Sequence, residues 1–359
     1  MPEQVRRTGR KAPARLADVA AEAGVSIKTV SRVINEEAGV LPDTRDRVEE
    51  AIRTLGFVPN SMARSLKTGG QDVIGVVIDA ISDPFFATLV SAVEQQAVRA
   101  GLSVIIASTE TDAARESEQL LRLAGQQLRG LIATPVGEGS ELLRRLRSRM
   151  PVVCVDRYRE GLDSIVVDDF GAAQTAVAGL IERGHRRIGF VGADDRHQET
   201  SGRRLAGYRQ ALDDAGIAYD PSLVARAGPT SDGVFAEVDA LLRHSEPPTA
   251  LFTASARAAT VCLDVVREGG FPQVALISFG NFDLAHLFTP GISCIDHDPR
   301  RIGRAALERL TELIADPSAE PTTTVLDTAY VARGSGELPG PEAPENRTAA
   351  VAAAEGGTL

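Results

Sequence analysis

The chain has 359 residues, 43% of them hydrophobic and 25% charged, which is enough apolar material for two or three packed units without help from disulfides or metals. Its three cysteines (Cys154, Cys262, Cys294) form no CxxC pair, which excludes a disulfide scaffold and argues against a zinc site, and no apolar run approaches the roughly 18 residues of a membrane span. The net charge of −10 is unevenly spread: residues 1–70 hold 12 Lys/Arg against 9 Asp/Glu and the remainder 27 against 40, a head of +3 on a body of −13, so an anionic partner would meet the head.

Residues 1–13 are polar, carry Arg6, Arg7, Arg10 and Lys11, and read as a flexible basic arm; no apolar stretch follows that would make it a secretory signal. Leu16, Val19, Ala20 and Ala23 then fall on one helical face, and Gly24 stops the helix. Ser26 can cap a second helix whose inward face is Ile27 or Val30 with Val33 and Ile34. Pro42-Asp43-Thr44 opens a third, in which Val48, Ile52 and Leu55 recur at helical spacing before Gly56 ends it. Pro59 breaks the chain, Asn60 can cap a short helix from Ser61 to Leu66, and Lys67-Thr-Gly-Gly70 is a linker by composition.

From Asp72 the grain changes. Short apolar runs at 73–78, 103–107, 131–134, 152–155, 188–191, 251–252 and 274–277 alternate with amphipathic helical stretches. The first of these stretches has Phe85, Leu89, Val93 and Ala97 on one stripe. Alternating βα units predict parallel sheets covered by helices, and some nine units exceed one open sheet, so two side-by-side α/β lobes are expected. Residues 334–359, rich in Gly, Pro, Ala and Glu, read as a disordered tail without the leucine heptads of a tetramerisation helix.

The informative segment runs from Leu16 to Asn35. A helix-turn-helix needs a small residue where its helices nearly touch (Ala20), a turn residue tolerant of positive φ (Gly24), and buried aliphatics (Val25, Val30). Its second helix must present polar groups outward, as Lys28, Thr29, Ser31 and Arg32 do, to fit a major groove about 12 Å wide. This segment, with Pro59-Asn-Ser-Met-Ala-Arg-Ser-Leu66 and the α/β body, resembles the LacI/GalR (lactose-repressor) family of bacterial transcription regulators over residues 14–333.

The resemblance implies a small all-α helix-turn-helix head on an α/β body of two doubly wound parallel-sheet lobes, of the periplasmic-binding-protein type. It divides the chain into a DNA-binding domain at 14–59, a hinge helix and linker at 60–71, and an effector-binding and dimerisation domain at 72–333. It places Ile27, Lys28 and Arg32 at base edges, Thr29, Ser31, Asn35 and Thr44 at phosphates, and Asn60, Ala63 and Leu66 in a hinge helix whose leucine wedges the minor groove.

Open α/β sheets bind ligands at the carboxyl ends of their strands. That rule and the resemblance together select Ser82, Asp83, Phe85, Phe86, Asp156, Arg204, Ser255, Asn281 and His297 as effector-binding candidates. Ala254-Ser255-Ala256 stands where many members read Ala-Asn-Asp, and Ser278-Phe-Gly-Asn281 where they read Gly-Phe-Asp-Asp, so the aspartate that contacts the effector falls on Gly280. Arg204 and Arg257, with few acids, would suit an anionic effector.

The expected protein is a repressor: a cytoplasmic, nucleoid-associated homodimer that binds a pseudo-palindromic operator in double-stranded DNA. A small molecule in the cleft, a sugar or sugar derivative, would control it, with no cofactor, metal or membrane partner. A solute-binding transport protein would have no use for the head. An enzyme would need a convergent acid, base or nucleophile, and the five histidines are scattered with no G-x-S-x-G and no P-loop. The pair Asp168-Asp169 reads as the cap of a helix starting near Phe170.

Overall fold

A computed structural model of the protein describes residues 14–35, 37–57, 72–137, 140–193, 199–227, 231–271 and 273–343. The chain falls into two compact units, Met1–Gln71 and Asp72–Leu359.

In the first unit, α1 (Leu16–Ala23) ends at Gly24, whose φ of 65° is a left-handed position that glycine takes without Cβ strain. Helix α2 (Ile27–Ile34) is capped by Ser26, whose hydroxyl accepts from the Thr29 amide at 3.1 Å. Helix α3 (Pro42–Leu55) opens on a proline, where no amide is needed, and closes at Gly56. Val19, Ala20, Val30, Val33, Val48 and Ala51 form the core between them. Of the two candidates for the inward face, Val30 is buried and Ile27 is 51% exposed. The expected basic arm, the linker and the hinge residues Asn60, Ala63 and Leu66 lie outside the described residues.

The second unit holds twelve strands among the described residues: β1 (Val73–Ile78), β2 (Ser103–Ser108), β3 (Gly130–Ala133), β4 (Val152–Val155), β5 (Asp163–Val167), β6 (Ile188–Ala193), β7 (Val224–Ala227), β8 (Ala250–Thr253), β9 (Ala275–Phe279), β10 (Ser293–Asp296), β11 (Thr323–Leu326) and β12 (Ala329–Val331). They form two six-stranded sheets, β11-β5-β4-β3-β1-β2 in one lobe and β12-β10-β9-β8-β6-β7 in the other. Every neighbouring pair is parallel except β10 with β12. Both faces of these sheets are covered, which is why β1, β3, β4 and β9 are apolar runs without alternation.

Helix α4 (Pro84–Arg99) seats Phe86, Leu89, Val90, Val93 and Ala97 against the first sheet. After α5 (Ala113–Ala124) and α6 (Glu141–Arg147), the chain leaves that sheet at β5 and begins α7 (Asp169–Glu182), which packs with α8 (Glu199–Asp214) on the second sheet. Helices α9 (Ser231–Leu242) and α10 (Ala256–Gly269) cover the other face. The chain returns after β10 to place α11 (Pro299–Ala315) on the first sheet, and crosses once more between β11 and β12.

Two expectations need correction. Strands β5, β7, β10, β11 and β12 were not among the seven apolar runs: they are short, and β7, β11 and β12 interleave polar or small residues at sheet edges. The body also does not end at 333, because residues 334–343 pack on the second lobe. Ser335 accepts from the Leu276 amide at 3.1 Å, Gly340 donates to the Arg183 carbonyl at 2.8 Å, and Glu342 pairs with Arg186 at 3.2 Å. The contact is backbone on backbone: a Cβ on Gly184 would lie 2.3 Å from the Ala343 nitrogen, and such a fit leaves no apolar pattern to read.

Helices α7 and α8 approach closely enough that a Cβ on Gly207 would stand 2.2 Å from the Phe170 carbonyl oxygen. Gly207→Ala is therefore expected to destabilise the second unit by roughly 1–3 kcal/mol, the usual range for overpacking, measured as a lowered denaturant midpoint.

Candidate functional site

The outer face of α2 is built by its cap and its amphipathicity. With Val30 and Val33 buried, Ile27 and Lys28 stand exposed at the helix start. Thr29, Ser31, Arg32 and Asn35 are half-buried. The Thr29 and Ser26 hydroxyls lie 2.9 Å apart, and Asn35 Nδ2 donates to Ser31 Oγ at 3.3 Å. Arg32 turns away from the expected base-facing direction: Nη2 donates to the Ala38 carbonyl at 2.7 Å, and Nε lies 3.5 Å from Glu37. Lys28 is thus the cation on this helix that projects outward. Thr44 is the third residue of α3, half-buried at that helix's amino end.

In the second unit, loops from the carboxyl ends of both sheets meet around a cleft. Arg204, on α8, is 6% exposed and fully engaged. Its Nε and Nη2 reach Asp169 Oδ1 at 2.8 and 2.7 Å, Nη1 donates to the Ala254 carbonyl at 2.5 Å, and its guanidinium carbon lies 3.7 Å above the Phe279 ring. The ring of His297 stacks on Phe85 at 4.8 Å and meets Phe279 edge-on at 5.4 Å. Burial, with the Arg204 charge adding, pushes the His297 pKa down to about 3, so the ring is neutral. Its Nδ1 is buried with no hydrogen-bond partner among the described residues.

Asp156 follows β4 with φ at 68° and is buried. Its carboxylate accepts no hydrogen bond among the described residues, and Arg157 Nε stands 3.6 Å away. Burial lifts its pKa to about 7 against the pull of Arg157 and Arg204. Arg157 itself is tied to Asp79 at the end of β1 and donates to the Pro135 carbonyl at 2.7 Å. A cavity of about 450 Å³ opens beside these groups, its wall including Asp156, Tyr158, Asp169, Glu199, Thr200 and Arg203. That volume lies within the range of about 300–1,000 Å³ typical of small-molecule sites.

The structure brings Phe85, Arg204 and His297 together around the Phe279 ring, with Asp83 capping α4 at the Phe85 amide and the Arg204 charge acting on Asp156. It does not bring the others. Phe86 points into the core with 6% exposure, touching Phe85 edge-on, because the stripe of α4 runs through Phe86 rather than its neighbour. Ser255 caps α10, accepting from the Ala258 amide at 3.2 Å. Asn281 is engaged by Asp296 and Arg333, and Ser82 is exposed in the loop between β1 and α4.

Sequence reasoning missed Asp79, Arg159, Asp169, Glu199 and Phe279. Asp168 does cap α7, accepting from the Gly171 amide at 2.9 Å, whereas Asp169 holds Arg204 from the other member of the pair. The end-of-strand position of Asp79 and Phe279 was the available signal. Among the described residues no group of His, Cys, Asp and Glu could hold a metal ion, and no helix is long and apolar enough to cross a membrane.

A helix-turn-helix unit joined to a two-lobed ligand-binding body defines a class, the DNA-binding regulators with a sensor domain. Residues 15–60 match the bacterial regulatory proteins of the lacI family, and residues 177–336 match a periplasmic binding protein-like domain. The ribose operon repressor of Haemophilus influenzae is 30% identical over 327 residues, covering 90% of this chain and 98% of that one. A structure of the transcriptional regulator CelR in complex with cellobiose is 29% identical with a TM-score of 0.67, covering 90% of this chain and 99% of that one. The lac repressor dimer bound to operator and the anti-inducer ONPF shares the fold, at 23% identity, a TM-score of 0.79 and the same coverage. The chain belongs to the LacI family, whose members are transcription regulators and not enzymes.

The raised Asp156 pKa has a consequence for stability. Between its ordinary value of 3.8 and about 7, the folded unit holds a proton that the unfolded chain gives up. Its contribution to stability therefore falls as pH rises through that window. Glu116, lifted to about 6 by burial, acts in the same direction. Asp156→Asn should flatten the loss of stability between pH 5 and pH 8, followed by urea unfolding at both values; an unchanged slope would contradict the assignment.

Proposed function

We propose that the chain is a sequence-specific transcriptional repressor that reads a pseudo-palindromic operator as a homodimer, with its affinity set by a small molecule in the inter-lobe cleft. The observation that carries this reading is the surface of α2. Its apolar residues are spent on the head's own core, and Ile27 and Lys28 are left exposed at the amino end, where a groove-bound helix meets base edges. Ile27 offers apolar contact to a thymine methyl, and Lys28 can donate to guanine O6 or N7. Thr29, Ser31, Asn35 and Thr44 face phosphates. Arg32 joins the base contacts if it leaves Ala38 and Glu37. Asn60, Ala63 and Leu66 act as the hinge that wedges the minor groove, a role supported by the sequence resemblance.

For the sensor, the cavity beside Asp156 supports a sugar or sugar derivative. Asp156 in its wall offers unused acceptor oxygens to hydroxyl groups, and the nearby Arg204 and Arg159, outside the wall, are already bonded to Asp169 and Glu199. The wall sets Asp156, Asp168, Asp169 and Glu199 against Arg203, which suits an anionic effector less well. Such a regulator works in the cytoplasm, on the nucleoid.

Removing residues 1–70 should abolish duplex binding in a gel shift while leaving the body folded. Lys28→Ala should relax preference at one half-site position by about 1–3 kcal/mol, read from binding to a base-substituted duplex series, and a uniform loss across the series would reassign Lys28 to phosphate. A thermal-shift screen of sugars should give a hit stabilised by about 2.7 kcal/mol at 100 times its Kd.

A further inference from the structure

We propose that the Arg159–Glu199 ion pair is a contact across the cleft that favours closed lobes, which makes Glu199 a positioning residue for the effector cavity; the cavity's role rests on the reading above, and the contact itself does not. Arg159 follows β4 in the first lobe. Glu199 is the first residue of α8 in the second. Arg159 Nη1 lies 2.7 Å from Glu199 Oε2, with the arginine side chain 7% exposed and the glutamate 38%.

The arginine is held in place by its own lobe. Nη1 also donates to the Tyr158 carbonyl at 2.6 Å, and Nη2 donates to the Gly137 carbonyl. The loop carrying that carbonyl is itself pinned twice, because the Val136 amide donates to Glu116 at 3.0 Å and the Pro135 carbonyl accepts from Arg157. Two carbonyls orient the guanidinium and the Glu116 carboxylate of the same lobe feels its charge, but no carboxylate of that lobe bonds it directly, and a buried charge that loses its bonded partner is costly. Arg157 and Arg204 find their carboxylates, Asp79 and Asp169, within their own lobes. Arg159 finds its directly bonded carboxylate across the cleft, so parting the lobes takes that partner away.

Glu199 also lines the cavity beside Asp156 and Thr200. A ligand group that bonds Glu199 competes with Arg159 and favours parted lobes. A ligand that fills the cavity and leaves the pair intact favours closed ones.

The test uses the full chain with spin labels at E118C on α5 and D264C on α10, both exposed, the three native cysteines being buried. Glu199→Gln is expected to raise the parted-lobe fraction of the distance distribution about tenfold or more. Glu199→Asp should raise it less, and Asp239→Asn, which breaks the ion pair between α9 and Arg243 just after it in the second lobe, should leave it unchanged. Raising the ionic strength on the unsubstituted chain should shift the distribution the same way, since Glu199 is partly open to solvent. Superimposable distributions for wild type and Glu199→Gln, or a shift matched by Asp239→Asn, overturn the proposal. No ligand enters the experiment, so that outcome would leave the effector reading standing.

Discussion

Three passages of backbone between the sheets, at 167–169, 296–299 and 326–329, constrain everything else in the body. They tie the lobes along one edge and bring the carboxyl ends of both sheets to face each other. Strand ends expose backbone groups and loops that cannot pack as a dry core, so the polar side chains of the chain collect there. Asp79, Asp156, Arg157, Asp169, Arg204 and His297 all lie at such ends or on the helices that start beside them.

Buried charge then sets the local geometry. Among the described residues, the buried arginines Arg157, Arg159 and Arg204 are each bonded to a carboxylate and to at least one carbonyl oxygen, which fixes the direction of a planar group more tightly than packing would. Ion pairs of this kind add little to net stability, because desolvation offsets most of the attraction, but losing one partner is expensive. They therefore act as geometric constraints. The neutral ring of His297, clasped between Phe85 of one lobe and Phe279 of the other, adds an apolar counterpart at the second passage.

The head follows a different economy. Three short helices cannot bury much surface, so nearly every aliphatic in α1 and α2 is committed to the shared core, and caps at Ser26, Gly24 and Gly56 fix their ends. What remains outward on α2 is polar apart from Ile27. That isoleucine, at the amino end of the helix, is 51% exposed.

Much of this was legible from residue order. Gly24, Ser26, Pro42 and Gly56 mark helix ends by chemistry local to one or two residues, and period-3.6 and continuous apolar patterns revealed the head and the covered sheets. Leu89, Val93 and Ala97 of the expected α4 stripe are buried as read, but its first member is Phe86 and not Phe85, because adjacent phenylalanines at a helix start fit the stripe about equally well. Asp156 stands out as the end of an apolar strand that resembles the family's pattern, and Arg204 by its match to the family's cleft arginine. Their partners were not, since Arg204 with Asp169, Arg157 with Asp79 and Arg159 with Glu199 are pairs separated by 35 to 78 positions. Sequence by itself determined the helix ends, the parallel lobes and the outward face of α2, because these depend on neighbours within a turn or a strand. Only the tertiary structure decided which acid neutralises which arginine, that the backbone of 334–343 belongs to the body, and that Arg32 folds back on its loop, because those outcomes depend on distances that chain order does not encode.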